Sequence, residues 1–319
     1  MVYWGLYMQL IKEFLATTKY KDFNITVASA DASFRRYFRI SKEAETFIVM
    51  DSSLEKESLK PFLKITKHLL DVGVDAPHVY LEDIDKGFLV LEDLGSTDLL
   101  NSLNEDNFKH LYKLAMDEIA KMQKADVTGL PLYDETFLKQ EMSLMSEWFL
   151  DKYVKDTEYD KKMIEDTLHV ISQEVLSQPQ GYFVHRDFHS RNIMVKDSNT
   201  LGVIDYQDAM NGSITYDLVS LLRDLYICFD KDDIKELALY FRDLIGSNAS
   251  DEEFIRWFDF MGLQRHIKVL GIFARLYLRD GKDGYLKDLP LTMHYVLESA
   301  LKYEQTQELY KYLKTIELK

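Results

Sequence analysis

His185-Arg186-Asp187-Phe188-His189-Ser190-Arg191-Asn192 forms the pattern H-R-D-x-x-x-x-N, and Asp205 follows it. Moving a phosphoryl group from a nucleotide to a hydroxyl needs an acid that accepts or orients the hydroxyl's proton. It also needs oxygen ligands that hold magnesium against the phosphates. Asp187 suits the first task, and Asn192 and Asp205 suit the second. The spacing has a geometric reason. Ile193-Met194-Val195-Lys196 and Leu201-Gly202-Val203-Ile204 read as a hairpin turning at Asp197-Ser198-Asn199, which returns Asp205 beside Asn192. A rival chemistry shares the same residues. His185, Asp187 and His189 form H-x-D-x-H, whose alternate side chains on a strand could ligate a hydrolytic metal. That reading leaves Asn192 and Asp205 without a purpose. The plainest reading is a polar loop with satisfied His and Asp groups.

The elements around these residues fall into two textures. Ile25 to Ile40 contains two short strand-like runs, and Phe47-Ile48-Val49-Met50 reads as a third strand. Glu55 to Val72 shows helical spacing at Leu59, Phe62, Leu63, Ile65, Thr66, Leu69 and Leu70, with Gly73 as its stop. His78 to Leu81 and Phe88 to Leu91 give two more strands. Past Glu92-Asp93-Leu94-Gly95 long helical patterns take over at Asn107–Lys124, Thr136–Tyr153 and Lys161–Ser177. A strand-rich island at Phe183–Tyr206 interrupts them, and helices resume from Tyr216. The expected fold is α+β and bilobal. Residues 1–95 form a small antiparallel sheet lobe with one main helix that binds nucleotide. Residues 96–319 form a larger, mostly helical lobe for catalysis and acceptor binding.

Composition narrows the partners. The chain has 319 residues, 46% of them hydrophobic, which is enough for two lobes. A formal charge of −15 repels nucleic acid and anionic membranes, so neither is an expected partner. Anionic substrates then require Arg or Lys focused in one cleft. The single cysteine, Cys228, permits no internal disulfide and fits a cytoplasmic setting. Met1 to Leu15 lacks a basic start and a small-residue cleavage site, and reads as an amphipathic helix packed on its lobe. No stretch of 18 apolar residues occurs.

The catalytic loop and the order of the lobes resemble the aminoglycoside-phosphotransferase and choline-kinase group, relatives of the protein kinases. Within that group the resemblance is strongest to the anomeric sugar kinases of cell-wall recycling, which act on N-acetylmuramate and N-acetylglucosamine. It is carried by Ser29 to Arg39, Val49-Met50-Asp51, Val184 to Asn192 and Gly202 to Ala209. Thr215 to Asp224 and Leu263 to Arg275 carry it further, so it spans Ser29 to about Lys282. It implies a magnesium- and ATP-dependent phosphotransferase acting on a small molecule. The implied acceptor is the 1-hydroxyl of an amino sugar. Protein kinases are disfavoured because Asp205-Tyr206-Gln207 replaces D-F-G, and the stretch from Asp205 to Asp217 is too short for a peptide-docking activation segment.

The chain departs from the kinase pattern where phosphate should be held. Ala30 to Tyr37 contains no glycine, so Ser33 with Arg35 or Arg36 is expected to supply donors instead. The lysine of V-A-I-K is replaced at Met50-Asp51, and Glu57 lacks its usual partner. A cation near the phosphates is then expected from Arg35, Arg36 or Arg39, with Arg36 favoured. The segment Leu91 to Leu94 is expected to offer backbone groups of Glu92 and Leu94 to adenine. Asp208 reads as a support for metal or substrate, or as a turn acid. Asp217 is expected to bond the catalytic-loop backbone. Arg191, Arg265 and His266 are candidate acceptor contacts, weighed against ordinary surface polarity for Gln264, Arg265, His266 and Arg275. Alternatives within the same fold are an aminoglycoside- or choline-type phosphotransferase, and a nucleotide-binding pseudokinase scaffold without turnover.

Overall fold

The computed structural model describes residues 2–29, 35–155 and 158–318, with side chains from Tyr7 onward in the first helix. Ser33 and the turn around it lie outside the described residues. The chain divides into two compact units, Met1–Thr97 with Met194–Gln207, and Asp98–Ile193 with Asp208–Lys319.

The first unit is built on an antiparallel sheet of β1 (Asn24–Ser29), β2 (Arg36–Lys42), β3 (Glu45–Asp51), β4 (Val79–Asp83) and β5 (Phe88–Glu92). Their order is β1-β2-β3-β5-β4. Side chains alternate across a strand, so each strand presents two faces. Phe38 and Ile40 of β2 join Val49, Phe88 and Val90 on one face, against Ile11, Phe14 and Leu15 of α1 (Val2–Leu15). Tyr37 and Arg39 belong to the opposite alternation. Helix α2 (Leu59–Asp71) ends as the sequence indicates, with Gly73 at φ +79, which a glycine adopts at little cost.

The hairpin of β7 (Ile193–Asp197) and β8 (Thr200–Val203) forms as expected from the sequence. Beyond Ile193 it belongs to the first unit, not to the catalytic lobe to which the sequence reading assigned it. Hydrogen bonds explain this. Val195 N donates to Thr97 O at 2.9 Å, and Val203 N donates to Asp75 O at 2.8 Å. Lys196 Nζ reaches Asp75 at 2.9 Å. A Cβ on Gly202 would lie 2.6 Å from Leu94 Cδ1, so any larger residue here would have to displace the Leu94 side chain. At its end, Tyr206 stacks on Phe62 of α2 with ring centroids 5.3 Å apart.

The second unit is mostly helical. It contains α3 (Leu99–Ser102), α4 (Phe108–Met122), α5 (Glu135–Leu144), α6 (Lys161–Ser177), α7 (Tyr216–Leu222) and α8 (Lys231–Leu244). It continues with α9 (Asp251–Asp280), α10 (Leu289–Lys302) and α11 (Gln307–Leu313). A two-stranded ribbon pairs β6 (Tyr182–Val184) with β9 (Met210–Gly212). The pattern expected as one helix over Thr136–Tyr153 is α5 followed by a π-helix at Met145–Val154. The junction lies directly against α9. A Cβ on Gly271 would fall 2.2 Å from the Leu144 carbonyl carbon.

Helix α9 is the axis of this unit. Ser250 caps it through Glu253 N, three acids occupy its first turn, and Gly281 at φ +66 closes it. Its middle is buried nearly without interruption from Phe258 to Ala274. Gln264, Arg265 and His266 are therefore 0%, 1% and 0% exposed, and the expectation of surface polarity fails for all three. Helices packed on several sides leave no polar face, so polar residues in the centre must find partners inside.

Candidate active site

The loop that follows β6 is suspended from two carboxylates. Asp217, in the first turn of α7, accepts hydrogen bonds from the backbone amides of His185 at 2.8 Å and Arg186 at 3.1 Å. This is the supporting role read from the sequence. Asp224 accepts from Ser190 N at 2.8 Å and Tyr226 N at 3.0 Å. Arg186 adopts φ +76, an unusual conformation for a residue with a side chain, and the Asp217 contacts hold it there. Burial pushes the Asp217 carboxyl up to about 6, although His185 and the two amides pull it back.

Asp187 is half-buried at the centre of this loop. Burial works to raise its carboxyl, but the charges of Lys268, His189, Arg265 and Arg186 outweigh that and hold it below the usual range. Asp187 is thus ionised at neutral pH, as a proton acceptor must be. Asn192 Nδ2 donates to Asp187 O at 3.0 Å, which turns the amide oxygen to the opposite edge. His185 Nδ1 accepts from Asp187 N at 3.3 Å, and β6 has ended at Val184. His185, Asp187 and His189 therefore do not alternate along a strand, and the hydrolytic-metal reading loses its geometry. Among the described residues no group of three or more His, Cys, Asp or Glu is placed to hold a metal.

Behind the loop lies a buried network that the sequence reading did not single out. Glu141 of α5 accepts from Arg186 Nη2 at 2.7 Å, from Gln264 Nε2 at 3.1 Å and from the Tyr133 hydroxyl. Lys268 of α9 donates to the Tyr216 hydroxyl at 2.8 Å and lies 3.5 Å from Glu141. Burial opposes the charge on Glu141, yet Lys268 and Arg186 keep it ionised. Two cations thus face one carboxylate, and Asp187 meets the excess positive charge. The available signal was weak. Glu141 and Lys268 are charges placed inside apolar helical stripes, beside Leu138 and Met142 and beside Ile267 and Leu270.

The other candidates fall into distinct places. Arg191 is exposed, with its guanidinium 3.7 Å from the centre of the Tyr226 ring. Asp208 is exposed, and its carbonyl lies 3.5 Å from Arg186 Nη1. His266 does not present itself to a ligand. Its ring nitrogens face the carbonyls of Gly262 at 2.6 Å and Arg223 at 3.0 Å, and it is fully buried.

In the first unit, Asp205 sits at φ +66 and accepts from Gln207 Nε2 at 2.8 Å. Asn192 and Asp205 both offer hard oxygen atoms, a donor chemistry that fits magnesium. Arg36 donates to Asp51 at 2.7 and 3.1 Å and to Ser53 Oγ at 3.0 Å, with Tyr7 stacked on it at 3.5 Å. It shares the alternation of Phe38 and Ile40, the face covered by α1, so the preference for Arg36 as phosphate ligand is not supported by its position. Arg39 donates to Asp93 at 2.6 and 2.8 Å and to Gly95 O at 2.7 Å, which ties β2 to the segment after β5. Arg35, just before β2, shares the alternation of Tyr37 and Arg39. Glu92 N donates to His78 O at 2.8 Å, and Leu94 is buried against Gly202. Glu57 is exposed.

The sequence profile described as the phosphotransferase enzyme family matches residues 24–258. A Neisseria meningitidis protein named N-acetylmuramate/N-acetylglucosamine kinase is 39% identical over 306 residues, covering 92% of this chain and 90% of its own. A Pseudomonas aeruginosa protein of the same name is 39% identical over 285 residues, covering 86% and 82%. In structure, a choline kinase from Streptococcus pneumoniae superposes with a TM-score of 0.62 at 14% identity, over 91% of this chain and 99% of that one. That likeness establishes the kinase-like bilobal fold.

Proposed function

From the premise that the chain belongs to the phosphotransferase enzyme family, we propose that it transfers the γ-phosphate of ATP to the 1-hydroxyl of N-acetylmuramate and N-acetylglucosamine. The observation that carries this reading is the 39% identity, over 92% of the chain, to a kinase named for those two sugars. The buried arrangement around Asp187 supports it. A catalytic carboxylate held ionised by Lys268, Arg265 and Arg186 is suited to turnover, and a scaffold that only binds nucleotide has no need of it.

In this reaction Asp187 accepts the proton of the sugar hydroxyl as its oxygen bonds to the γ-phosphorus. The bond from that phosphorus to the bridging oxygen breaks, and ADP leaves with the electron pair. Asp217 fixes the backbone on which Asp187 rides. Asn192 and Asp205 are the residues that would hold magnesium, which supplies charge neutralisation for the phosphates. Arg35, just before β2 and on the alternation opposite the face that α1 covers, is the arginine proposed to face the nucleotide, since Arg39 is engaged with Asp93. Ser33, Glu92 and Leu94 remain the proposed contacts for phosphate and adenine. A cytoplasmic setting, where ATP is supplied, accords with this reading.

The test is transfer from labelled ATP to free N-acetylmuramate, free N-acetylglucosamine and their 1-O-methyl glycosides. Both free sugars should be phosphorylated and neither glycoside, because the methyl group removes the attacking hydroxyl. Phosphorylation of a glycoside refutes the anomeric position. Activity only with choline or an aminoglycoside refutes the sugar.

A further inference from the structure

The surroundings of Tyr226 deepen this reading and rest on it. Arg191 stands in the catalytic loop beside Asn192, and its guanidinium carbon lies over the Tyr226 ring, 3.7 Å from the ring centroid. Stacking of this kind fixes the plane of the guanidinium while its rim of N–H groups stays open to a planar acceptor. The same ring meets His189 edge-on, with centroids 5.2 Å apart. Arg265 adds a second positive charge. It is 1% exposed, and its Nε and Nη1 have no hydrogen-bond partner among the described residues. The charges of Arg191 and Arg265 act together on Tyr226, and that of Arg265 also acts on Asp187 and His189.

Among the described residues three carboxylates oppose an anion here: Asp187, whose charge is met by Lys268, Arg265 and Arg186, and Asp224 and Asp288. Asp224 is fully buried, and its carboxylate accepts the amides of Ser190 and Tyr226. Asp288 is partly buried, and burial disfavours its charge while Lys287 and Arg191 favour it. The corner beside Asp187 is therefore suited to an anion presented by the acceptor. N-acetylmuramate carries such a group, the carboxylate of its lactyl ether, and N-acetylglucosamine does not.

We propose that Arg191, stacked on Tyr226 and backed by the buried charge of Arg265, receives the carboxylate of the acidic acceptor sugar. Its exposure explains how one site can accept both sugars. A buried guanidinium left without its partner rejects the neutral analogue strongly, whereas an exposed one is hydrated when the carboxylate is absent. Arg191 thus favours the acid without excluding the neutral sugar.

The experiment compares kcat/KM for the two free sugars, and for the methyl ester of N-acetylmuramate, at saturating ATP. It uses the wild type, Arg191→Gln and Arg191→Lys. The Gln variant should lose about tenfold or more in kcat/KM for N-acetylmuramate relative to N-acetylglucosamine, the scale of a charge-assisted hydrogen bond. The Lys variant should retain part of the preference, and the wild type should disfavour the neutral ester as the Gln variant disfavours the acid. Equal losses for both sugars, or a rise in the KM for ATP in place of the sugar effect, overturn the proposal. A wild type that phosphorylates neither sugar overturns the underlying reading and the proposal with it. A wild type active on both, with an unchanged ratio in Arg191→Gln, overturns the proposal alone.

Discussion

Arg36 on β2 and Asp51 on β3 are direct register partners, joined by hydrogen bonds of 2.7 and 3.1 Å. Asp51 is fully buried and also accepts from Ser53 N at 2.9 Å. A kinase-like third strand usually carries a lysine that reaches phosphate. Here the strand ends in an acid, and the neighbouring strand neutralises it. Removing Arg36 alone strands a buried carboxylate, which costs about 3–5 kcal/mol. Arg36→Met should therefore destabilise strongly, and Arg36→Met with Asp51→Asn should recover much of the loss. Urea denaturation of the two single variants and the double variant measures this. Additive losses would mean that the pair is not coupled.

The catalytic assignment predicts a separation of stability from turnover. Asp187→Asn keeps the side-chain shape but cannot take a proton. Its kcat should fall by roughly 10² to 10⁴, with nucleotide affinity and melting temperature near those of the wild type. Turnover close to wild type in this variant would remove Asp187 from the mechanism.

Asp217 should show the opposite pattern. Its carboxylate is the shared acceptor for two backbone amides, and both sit at a strained turn. Asp217→Ala leaves those donors buried without a partner, at about 1–3 kcal/mol each. Stability and kcat should fall together, and Asp217→Asn, which keeps one acceptor, should be milder on both. Loss of kcat with unchanged stability in Asp217→Ala would instead place the side chain in the chemistry.

His266 gives a pH dependence whose sign is fixed. Burial and the charges of Arg265 and Arg223 push its imidazole down to about 3, against the pull of two carbonyls. Between about 3 and the ordinary 6.5 the unfolded chain binds a proton that the folded chain refuses. The stabilisation is complete above 6.5 and is lost as pH falls, by up to about 1.4 kcal/mol per unit. Asp217 works the other way, because its raised carboxyl, at about 6, makes stability fall as pH rises through that range. The readout is therefore the difference between wild type and His266→Gln in denaturation at pH 5 to 8. The variant should flatten the acid-side slope, and parallel curves would disprove the assignment.

The sequence by itself determined the catalytic loop, the five strands and the stop at Gly73, because short-range spacing governs those features. The run from His185 to Asn192 fixes which atoms lie on one loop. Strand alternation separates Arg36 from Tyr37 and Arg39 wherever the strand is placed. Asp217 was legible as a support because it opens a helix soon after the loop. The tertiary structure alone decided which face of β2 the helix α1 covers, and so that Arg36 is engaged with Asp51. It also decided that the β7–β8 hairpin joins the first unit, through hydrogen bonds to Thr97 and Asp75 far away in sequence. The charge field at Asp187 was the least legible feature. Glu141, Arg186, Arg265 and Lys268 come from α5, the catalytic loop and α9, and each alone reads as an ordinary polar residue on a helix or loop. Burial of α9 on several sides strips water from them, and only then do their charges act strongly enough on one another to set the ionisation of Asp187.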